Sequence, residues 1–322
     1  MKNPVRLFQV FSGINELFGI FEMASNRGSY MSEIETIEDV LYMYTTPFEN
    51  WWSNHIFFET EKMGVVVYDV PFLNEDGKTL WEQIKKYTSG EVSLFILSHG
   101  HSDHWSSIDL FSSVAPNAAV LTAKETANNI QIMGKAYVNW TEMFGTWSHI
   151  PELIIKPTET FEKEKVIDAG DFTLKLYTTG PAEDTEHTVI YIPELKVLLA
   201  NDVIYKGYHP WNEEERDGHW LRVLDWLRTF DVKTVVPGHG PVCGPEIFDD
   251  MEKWLTLYQD LRLKYAGRYG IKDMPPENRE KMIEEMKAGF PDWVEGDLQI
   301  SCGKMLAPPY SFGKNRYSVA KI

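Results

Sequence analysis

Residues 94–104 read Leu-Phe-Ile-Leu-Ser-His-Gly-His-Ser-Asp-His, and the rest of the chain can be interpreted outward from them. The first four are wholly apolar, as is typical of a short buried strand. His99, His101, Asp103 and His104 then follow within six positions, and all four side chains can bind a metal ion. Side chains two apart in an extended segment point the same way, so His99 and His101 can converge on one ion. Asp103 and His104 come after a turn, which predicts a second ion close by.

The alternative explanation for this cluster is chance: the segment would then be a polar loop that happens to be rich in histidine. The chain has 9 histidines among 322 residues, and so sparse a residue rarely clusters in this way. Imidazole and carboxylate ligands suit zinc, iron or manganese. The stretch therefore predicts a metal site at the end of a strand.

The pattern His99-x-His101-x-Asp103-His104 after an apolar strand resembles the signature of the metallo-β-lactamase fold superfamily. The resemblance covers about residues 54–245 and implies an α/β fold, an αββα sandwich with the metal site at the strand ends. The family pattern usually continues with a small residue and two glycines. Trp105 and two serines stand there instead, which narrows the mouth of the site and makes Trp105 a candidate substrate contact.

The same resemblance implies the remaining ligands, one position at a time. On the first ion it places His99, His101 and His187. On the second it places Asp103, His104 and His239, with Asp202 bridging the two ions. Asp69 matches an aspartate at the end of a strand that orients a ligand histidine. His55 is interpreted as an ordinary core or surface histidine.

The implied activity is hydrolysis by two divalent metal ions, with zinc expected and iron or manganese as alternatives. A hydroxide held between the ions, beside Asp103, is the expected nucleophile. His101 occupies a position where oxygen-reducing flavo-diiron relatives carry glutamate, which favours hydrolysis over redox chemistry. The expected substrate is a small carbonyl compound: a lactone, a β-lactam or another ester or amide. Hydrolysis of a thioester or of a phosphate or sulfate ester, and an idle metal-binding scaffold, are the alternatives.

Candidate substrate contacts follow the bridging aspartate. In N-acyl-homoserine lactonases of this superfamily, a tyrosine three residues after that aspartate donates to a substrate oxygen, and Tyr205 has this spacing. This makes the chain lactonase-like, although Tyr205 could equally be a core aromatic residue. Tyr208 and His209 lie in the next loop and are predicted to bind substrate, because loops at strand ends carry specificity.

The chain is strongly acidic, since 31 basic and 48 acidic residues give a formal net charge of −17. Binding to nucleic-acid phosphates or to an anionic membrane needs clustered lysine and arginine, so both partners are disfavoured. We find no run of about 18 apolar residues that could cross a membrane and no signal peptide, so a cytoplasmic location is expected. The expected partner is a small-molecule substrate, and a homo-oligomer is left open.

Three segments are predicted. Residues 1–50 form an N-terminal extension that packs on the core or makes a lid, with a helix from Ser32 to Tyr44. Residues 51–245 form the catalytic domain, in which apolar strands alternate with amphipathic helices. Residues 246–322 form a helical C-terminal extension. Within the catalytic domain, the aromatic-rich segment 137–149 is either a substrate-contacting loop or ordinary core.

Overall fold

A computed structural model describes residues 34–46, 53–132, 157–212, 215–267, 270–296 and 298–303. All of them belong to one compact unit, which begins at Ile34. The predicted lid at the start of the chain, the aromatic-rich segment 137–149 and the tail after residue 303 lie outside the described residues. Those three predictions therefore stay predictions.

The first of two sheets contains seven strands within the described residues, and they lie side by side in chain order. Neighbours are antiparallel from the first strand to the fourth and parallel from the fourth to the seventh. The strands are β1 (Ile34–Ile37), β2 (Leu41–Thr45), β3 (Asn54–Thr60), β4 (Gly64–Tyr68), β5 (Val92–Leu97), β6 (Ala119–Ala123) and β7 (Glu159–Phe161).

The second sheet contains five strands of the described part of the chain. They are β8 (Glu164–Asp168), β9 (Thr173–Thr178), β10 (Thr188–Ile192), β11 (Val197–Tyr205) and β12 (Thr234–His239). Their order across the sheet is β12-β11-β10-β9-β8. Only the β11–β12 pair is parallel, so these two strands end at the same edge of the sheet.

Helices connect the strands and follow them. They are α1 (Asn74–Tyr87), α2 (Ile108–Val114), α3 (124–132 of the described residues), α4 (Asp217–Leu227), α5 (Ile247–Tyr265), α6 (Pro276–Gly289) and α7 (Leu298–Ser301). Glu75 and Asp76 lie in the first turn of α1, and Lys85 and Lys86 lie in its last turn. These charges complement the helix dipole. In this part of the chain, no helix has the length and apolar character needed to cross a membrane.

The core lies in three layers, because alternate side chains of each strand point to opposite faces. Between the sheets, Phe58 and Ile96 pack with Leu176 and Ile190. On the outer face of the first sheet, a second apolar cluster includes residues of α1 and α2. On the outer face of the second sheet, a third includes residues of α4, α5 and α6. The structure therefore confirms the predicted αββα sandwich with C-terminal helices.

The helix predicted from Ser32 to Tyr44 is wrong over its described part. Residues 34–45 instead form the hairpin of β1 and β2, in which Ile34 pairs with Tyr44. Leu41 and Met43 are buried on alternate positions, a period of two that packs a strand rather than a helix. Because β2 also pairs with β3, the sandwich begins before the predicted boundary at residue 51.

Candidate metal centre

The buried carboxylate of Asp69 contacts both ends of the segment 98–104 that follows β5. Asp69 follows β4 with a left-handed φ of 62°. Its oxygens accept hydrogen bonds from the Ser98 amide at 2.8 Å and the Ser98 hydroxyl at 2.7 Å. Asp69 Oδ2 also lies 3.0 Å from Nδ1 of His104, six residues further on. This is the contact predicted for Asp69, and it turns His104 Nε2 toward the other candidate ligands.

A first group of candidate ligand atoms comes from His99, His101, Glu183 and Asp202, and these atoms lie within 4.8 Å of one another. His99 Nε2 is 3.6 Å from Glu183 Oε2 and 3.5 Å from Asp202 Oδ2. His101 Nδ1 is 2.6 Å from Glu183 Oε1. These four residues come from the loop after β5, the β9–β10 connection and β11.

A second group contains Asp103, His104 and His239, also within 4.8 Å. Asp103 Oδ2 lies 3.2 Å from His104 Nε2 and 3.5 Å from His239 Nε2. Asp202 stands between the groups, since its Oδ1 is 3.2 Å from His104 Nε2 and its Oδ2 is 3.2 Å from His239 Nε2. Gly238 makes this approach feasible, because a Cβ there would lie only 1.8 Å from Asp202 Oδ1.

The buried atoms of this cluster fit a metal centre. His99 Nε2, His104 Nε2, Asp202 Oδ1 and both carboxylate oxygens of Glu183 are buried without a hydrogen bond. Buried polar atoms normally have a partner, since burying one without compensation costs roughly 1–3 kcal/mol. A convergent set of imidazole nitrogens and carboxylate oxygens is the donor set that binds zinc, iron or manganese.

His187 lies beside the first group, with its Nε2 3.7 Å from Glu183 Oε2, and the ligand role predicted for it stays a prediction. Its Nε2 accepts a hydrogen bond from the Asp184 amide at 2.8 Å, and its Nδ1 is 2.9 Å from Asn201 Oδ1. The Asn201 amide nitrogen donates to Thr188 O and Tyr68 Oη, so its Oδ1 is the acceptor and His187 carries its proton on Nδ1. Both ring nitrogens are therefore used within the protein.

Glu183 joins the first group although the sequence did not predict it as a ligand. It lies four residues before His187 in the same loop, and its Oε2 is 3.7 Å from His187 Nε2. In the sequence, Glu183 is one of three acidic residues in a polar loop, with Asp184 and Glu186. Nothing in that local pattern distinguishes it from the other two, so sequence reasoning missed it.

The fold and the ligand order agree with the comparison with known families. Residues 53–239 match the family model described as Metallo-beta-lactamase superfamily. The chain belongs to this superfamily. It is thus a metal-dependent hydrolase by family, and the superfamily's divalent ions fit the two groups described above.

Individual relatives are distant. The chain is similar to the metallo-beta-lactamase type 2 of Elizabethkingia meningoseptica, with 26% identity over 222 residues, covering 64% of this chain and 78% of that protein. Among solved structures, it is similar to a metallo-beta-lactamase from Pontibacter korlensis, with a TM-score of 0.55, 19% identity and coverage of 70% of this chain and 98% of that one. The DIM-1 metallo-beta-lactamase gives a TM-score of 0.53, 14% identity and coverage of 70% and 96%. At these identities the structural likeness concerns the fold.

Several groups in this superfamily site hold protons that an ion would have to displace. Burial raises the pKa of Glu183 to about 8, although the neighbouring His101 opposes the shift. Burial by itself lowers the pKa of His104 and of His239, but the carboxylates of Asp202 and Asp103 outweigh it, and both pKa values are raised.

Zinc binding to the metal-free protein near neutral pH is therefore expected to release protons. Burial raises the pKa of Glu183 to about 8, so its carboxyl is largely protonated there, and the raised pKa values of His104 and His239 favour their protonated forms. An ion binds only the deprotonated forms. The apparent affinity for zinc should rise with pH until about 8, above which Glu183 is already ionised. Calorimetry in buffers of different ionisation enthalpy measures the protons released. A binding heat that is the same in every buffer would contradict this expectation.

Tyr205 is buried beside the candidate ligands, and its predicted role as a donor to the substrate stays a prediction. Its hydroxyl donates to Asp202 Oδ2 at 3.1 Å. Its ring stacks on the His239 imidazole, with centroids 4.9 Å apart and planes 12° apart. Tyr205 therefore contacts two candidate ligands, Asp202 through its hydroxyl and His239 through its ring. Tyr208 is also buried, with its ring centroid 6.5 Å from that of His239, and burial raises its pKa to about 12.

Two other predicted substrate contacts face the protein interior. His209 is fully buried, and its Nδ1 accepts a hydrogen bond from the Trp254 indole at 2.9 Å. It packs among Phe290 and Trp293 of the C-terminal extension, away from both ligand groups. Trp105 is 1% exposed and donates through Nε1 to Gly100 O at 2.8 Å. Neither side chain is exposed in this structure, and the substrate contacts predicted for Trp105 and His209 stay predictions.

Proposed function

We propose that this protein hydrolyses a small carbonyl compound with two divalent metal ions, most simply zinc. One ion is held by His99, His101 and Glu183, and the other by Asp103, His104 and His239, with Asp202 shared. The observation that carries the proposal is the meeting of the two groups at the Asp202 carboxylate, whose Oδ1 is buried without a hydrogen bond.

Ions bound there supply Lewis-acid polarisation and a nucleophile that is active at neutral pH. The protein's own residues hold and orient the reacting groups. Asp103 is the most open carboxylate of the two groups, with 29% of its side chain exposed. Although burial opposes it, His104 and His239 lower the pKa of Asp103 to about 2. Asp103 is therefore ionised at neutral pH and is proposed to accept a hydrogen bond from the attacking water.

A lactone, a β-lactam or another ester or amide is the proposed substrate class. The relatives named above as metallo-beta-lactamases support it, as does the half-buried Trp211, whose ring lies 5.6 Å from His101 and offers an apolar surface. A phosphate or sulfate ester is less well supported. Lys206 is 3.1 Å from Asp250 and Arg216 is 3.8 Å from Asp184, so the first two lysine or arginine residues after β11 are paired with carboxylates.

The test combines metal analysis with a substrate panel. Protein prepared without chelators is expected to contain about two divalent ions per chain, as in other two-metal hydrolases. It should then be assayed with lactones, β-lactams, thioesters and phosphodiesters. Turnover of a lactone or β-lactam that a chelator abolishes and added zinc restores would support the proposal. A stoichiometry of one ion or less after reconstitution would exclude the two-ion centre, and turnover of the phosphodiester alone would exclude the carbonyl substrate.

Tyr205→Phe separates the two roles considered for this residue. Because the hydroxyl contacts Asp202, its loss is expected to weaken metal binding and lower activity ~10- to 100-fold, the usual effect of removing a group that orients a ligand. Excess zinc should then restore much of the activity. If saturating zinc restored nothing and kcat stayed low, Tyr205 would instead donate to the substrate, as the lactonase resemblance implied.

A further inference from the structure

The candidate metal centre opens to the surface beside His101 and Asp103. Their side chains are 16% and 29% exposed, whereas the other members of the two ligand groups are at most 5% exposed. A molecule that reaches the centre must therefore pass over these two side chains. Trp211 lies beside this opening, because it is half-buried and its ring centroid is 5.6 Å from that of His101. Part of the indole is thus available to a molecule bound at the first group.

One buried hydroxyl group holds the backbone on both sides of Trp211. Ser301 Oγ accepts a hydrogen bond from the Asn212 amide at 2.8 Å and donates one to Pro210 O at 2.8 Å. Pro210 and Asn212 directly precede and follow Trp211 in the chain. Ser301 is fully buried, so water does not compete for either bond. The peptide that carries the indole is therefore fixed from both sides.

Tyr258 of α5 ties the same two segments together. Its hydroxyl lies 3.0 Å from Asn212 O and 2.8 Å from Ser301 O, and both carbonyl groups accept from it. Tyr258 is fully buried as well. The end of α7 and the residue after Trp211 are thus joined twice, once through a serine hydroxyl and once through a tyrosine hydroxyl.

The C-terminal extension also holds the start of this loop. The Val294 amide donates to Gly207 O at 2.8 Å, and the His209 amide donates to Val294 O at 3.1 Å. The Trp254 indole donates to His209 Nδ1 at 2.9 Å. The loop that follows β11 is therefore attached to the C-terminal extension at both of its ends.

We infer that Trp211 is a specificity-determining residue that binds an apolar substituent of the substrate, and that Ser301 is the positioning residue that holds it beside His101. The inference rests on the proposed function, because it takes the first group as an ion site and concerns the part of the substrate next to it. An indole offers a large apolar face that an alkyl or aryl group can cover. Fixing that face before binding lowers the entropy cost of the contact.

The test measures binding of two hydroxamic acids to the zinc-loaded whole chain by calorimetry. Hydroxamates chelate zinc, so acetohydroxamic acid reports on the ions, and octanohydroxamic acid adds an alkyl chain. Each buried methylene group strengthens binding about 4-fold, so the wild type should prefer octanohydroxamic acid ~10- to 100-fold. Trp211→Ala should lower this preference ~10-fold, because it removes the apolar face. Its zinc content and its affinity for acetohydroxamic acid should not change.

Ser301→Ala tests the positioning role with Trp211 still present. It removes the hydroxyl that holds both neighbouring peptides, so the preference should fall in the same direction but by less. Zinc content and acetohydroxamic acid binding should again be unchanged, which general destabilisation of the protein would not leave intact. Trp81→Ala is the matched control. Trp81 is also half-buried, but it lies on α1 with its ring 6.2 Å from that of Phe111, and its loss should leave the preference as in the wild type.

The two hydroxamic acids separate this inference from the proposed function. If acetohydroxamic acid binds but the wild type shows no preference, or if Trp211→Ala keeps the preference, the role of Trp211 is wrong and the ion centre stands. If Trp211→Ala lowers the preference and Ser301→Ala does not, the positioning role of Ser301 is wrong. If neither hydroxamic acid binds to the zinc-loaded protein, the proposed function fails and this inference fails with it.

Discussion

Glu183→Gln is expected to bind about one divalent ion per chain instead of about two, and to lower kcat ~100- to 1,000-fold, the scale on which losing one electrostatic group lowers turnover. The physical reason is the loss of a buried anionic donor. Glu183 Oε1 lies 2.6 Å from His101 Nδ1 and Oε2 lies 3.6 Å from His99 Nε2, so the carboxylate completes the first group. Elemental analysis and steady-state kinetics on one preparation give both quantities.

Glutamine is the suitable replacement because it resembles the metal-free state of the wild type. Burial raises the pKa of Glu183 to about 8, so the carboxyl is neutral at pH 7 when no ion is bound. The variant should therefore fold, and its metal-free melting temperature should stay close to that of the wild type.

Glu186→Gln is the matched control for this experiment. Glu186 lies in the same loop, and burial raises its pKa too, but it belongs to neither ligand group. It should keep both ions and its activity. The prediction would be contradicted if the Glu183→Gln protein kept two ions while a His187→Gln protein lost one. In that case His187, and not Glu183, would be the ligand.

Asp202→Asn is expected to have the largest effect, because this carboxylate contacts both groups. Its oxygens lie 3.2 Å from His104 Nε2, 3.2 Å from His239 Nε2 and 3.5 Å from His99 Nε2. We expect at most one tightly bound ion and a loss of roughly 1,000-fold or more in kcat, at or beyond the top of the range for one electrostatic group.

The same substitution has a second readout that needs no metal and no substrate. In the metal-free protein, burial lowers the pKa of His104 and of His239. Among the groups that raise these two pKa values, the Asp202 carboxylate has the largest effect. Without that charge, both pKa values should fall, and NMR titration of the imidazoles measures them. Asp250→Asn is a control, since Asp250 pairs with Lys206 and belongs to neither ligand group. Unchanged imidazole pKa values and two retained ions would contradict the shared role of Asp202.

The sequence by itself determined most of the metal centre. His99, His101, Asp103 and His104 form a local cluster at the end of one apolar strand, and Asp202 and His239 end two others. Strand periodicity is local, and the αββα sandwich brings such ends together wherever the loops lie. The cluster of four could therefore be predicted from the residues themselves, while Asp202 and His239 are positions that the resemblance to the superfamily implies.

Periodicity was less informative where polar and apolar residues mix without a clear repeat. The segment from Ser32 to Tyr44 was predicted as a helix, yet its described part forms strands because pairing with β3 is available. Trp105 and His209 were predicted as substrate contacts, and the structure buries both side chains. Their burial depends on packing partners such as Trp254, 45 residues from His209 in the chain.

Only the tertiary structure brought Glu183 into the first ligand group. Glu183 and His187 share one loop, four positions apart, and both side chains can bind a metal ion. The placement of both depends on hydrogen bonds to distant residues: His187 is engaged by Asn201, 14 residues away, and the loop is held by Gly100, 84 residues from Asp184. Because these contacts form only when β5, β10 and β11 are assembled, no local pattern in the loop could have indicated that Glu183 joins the group.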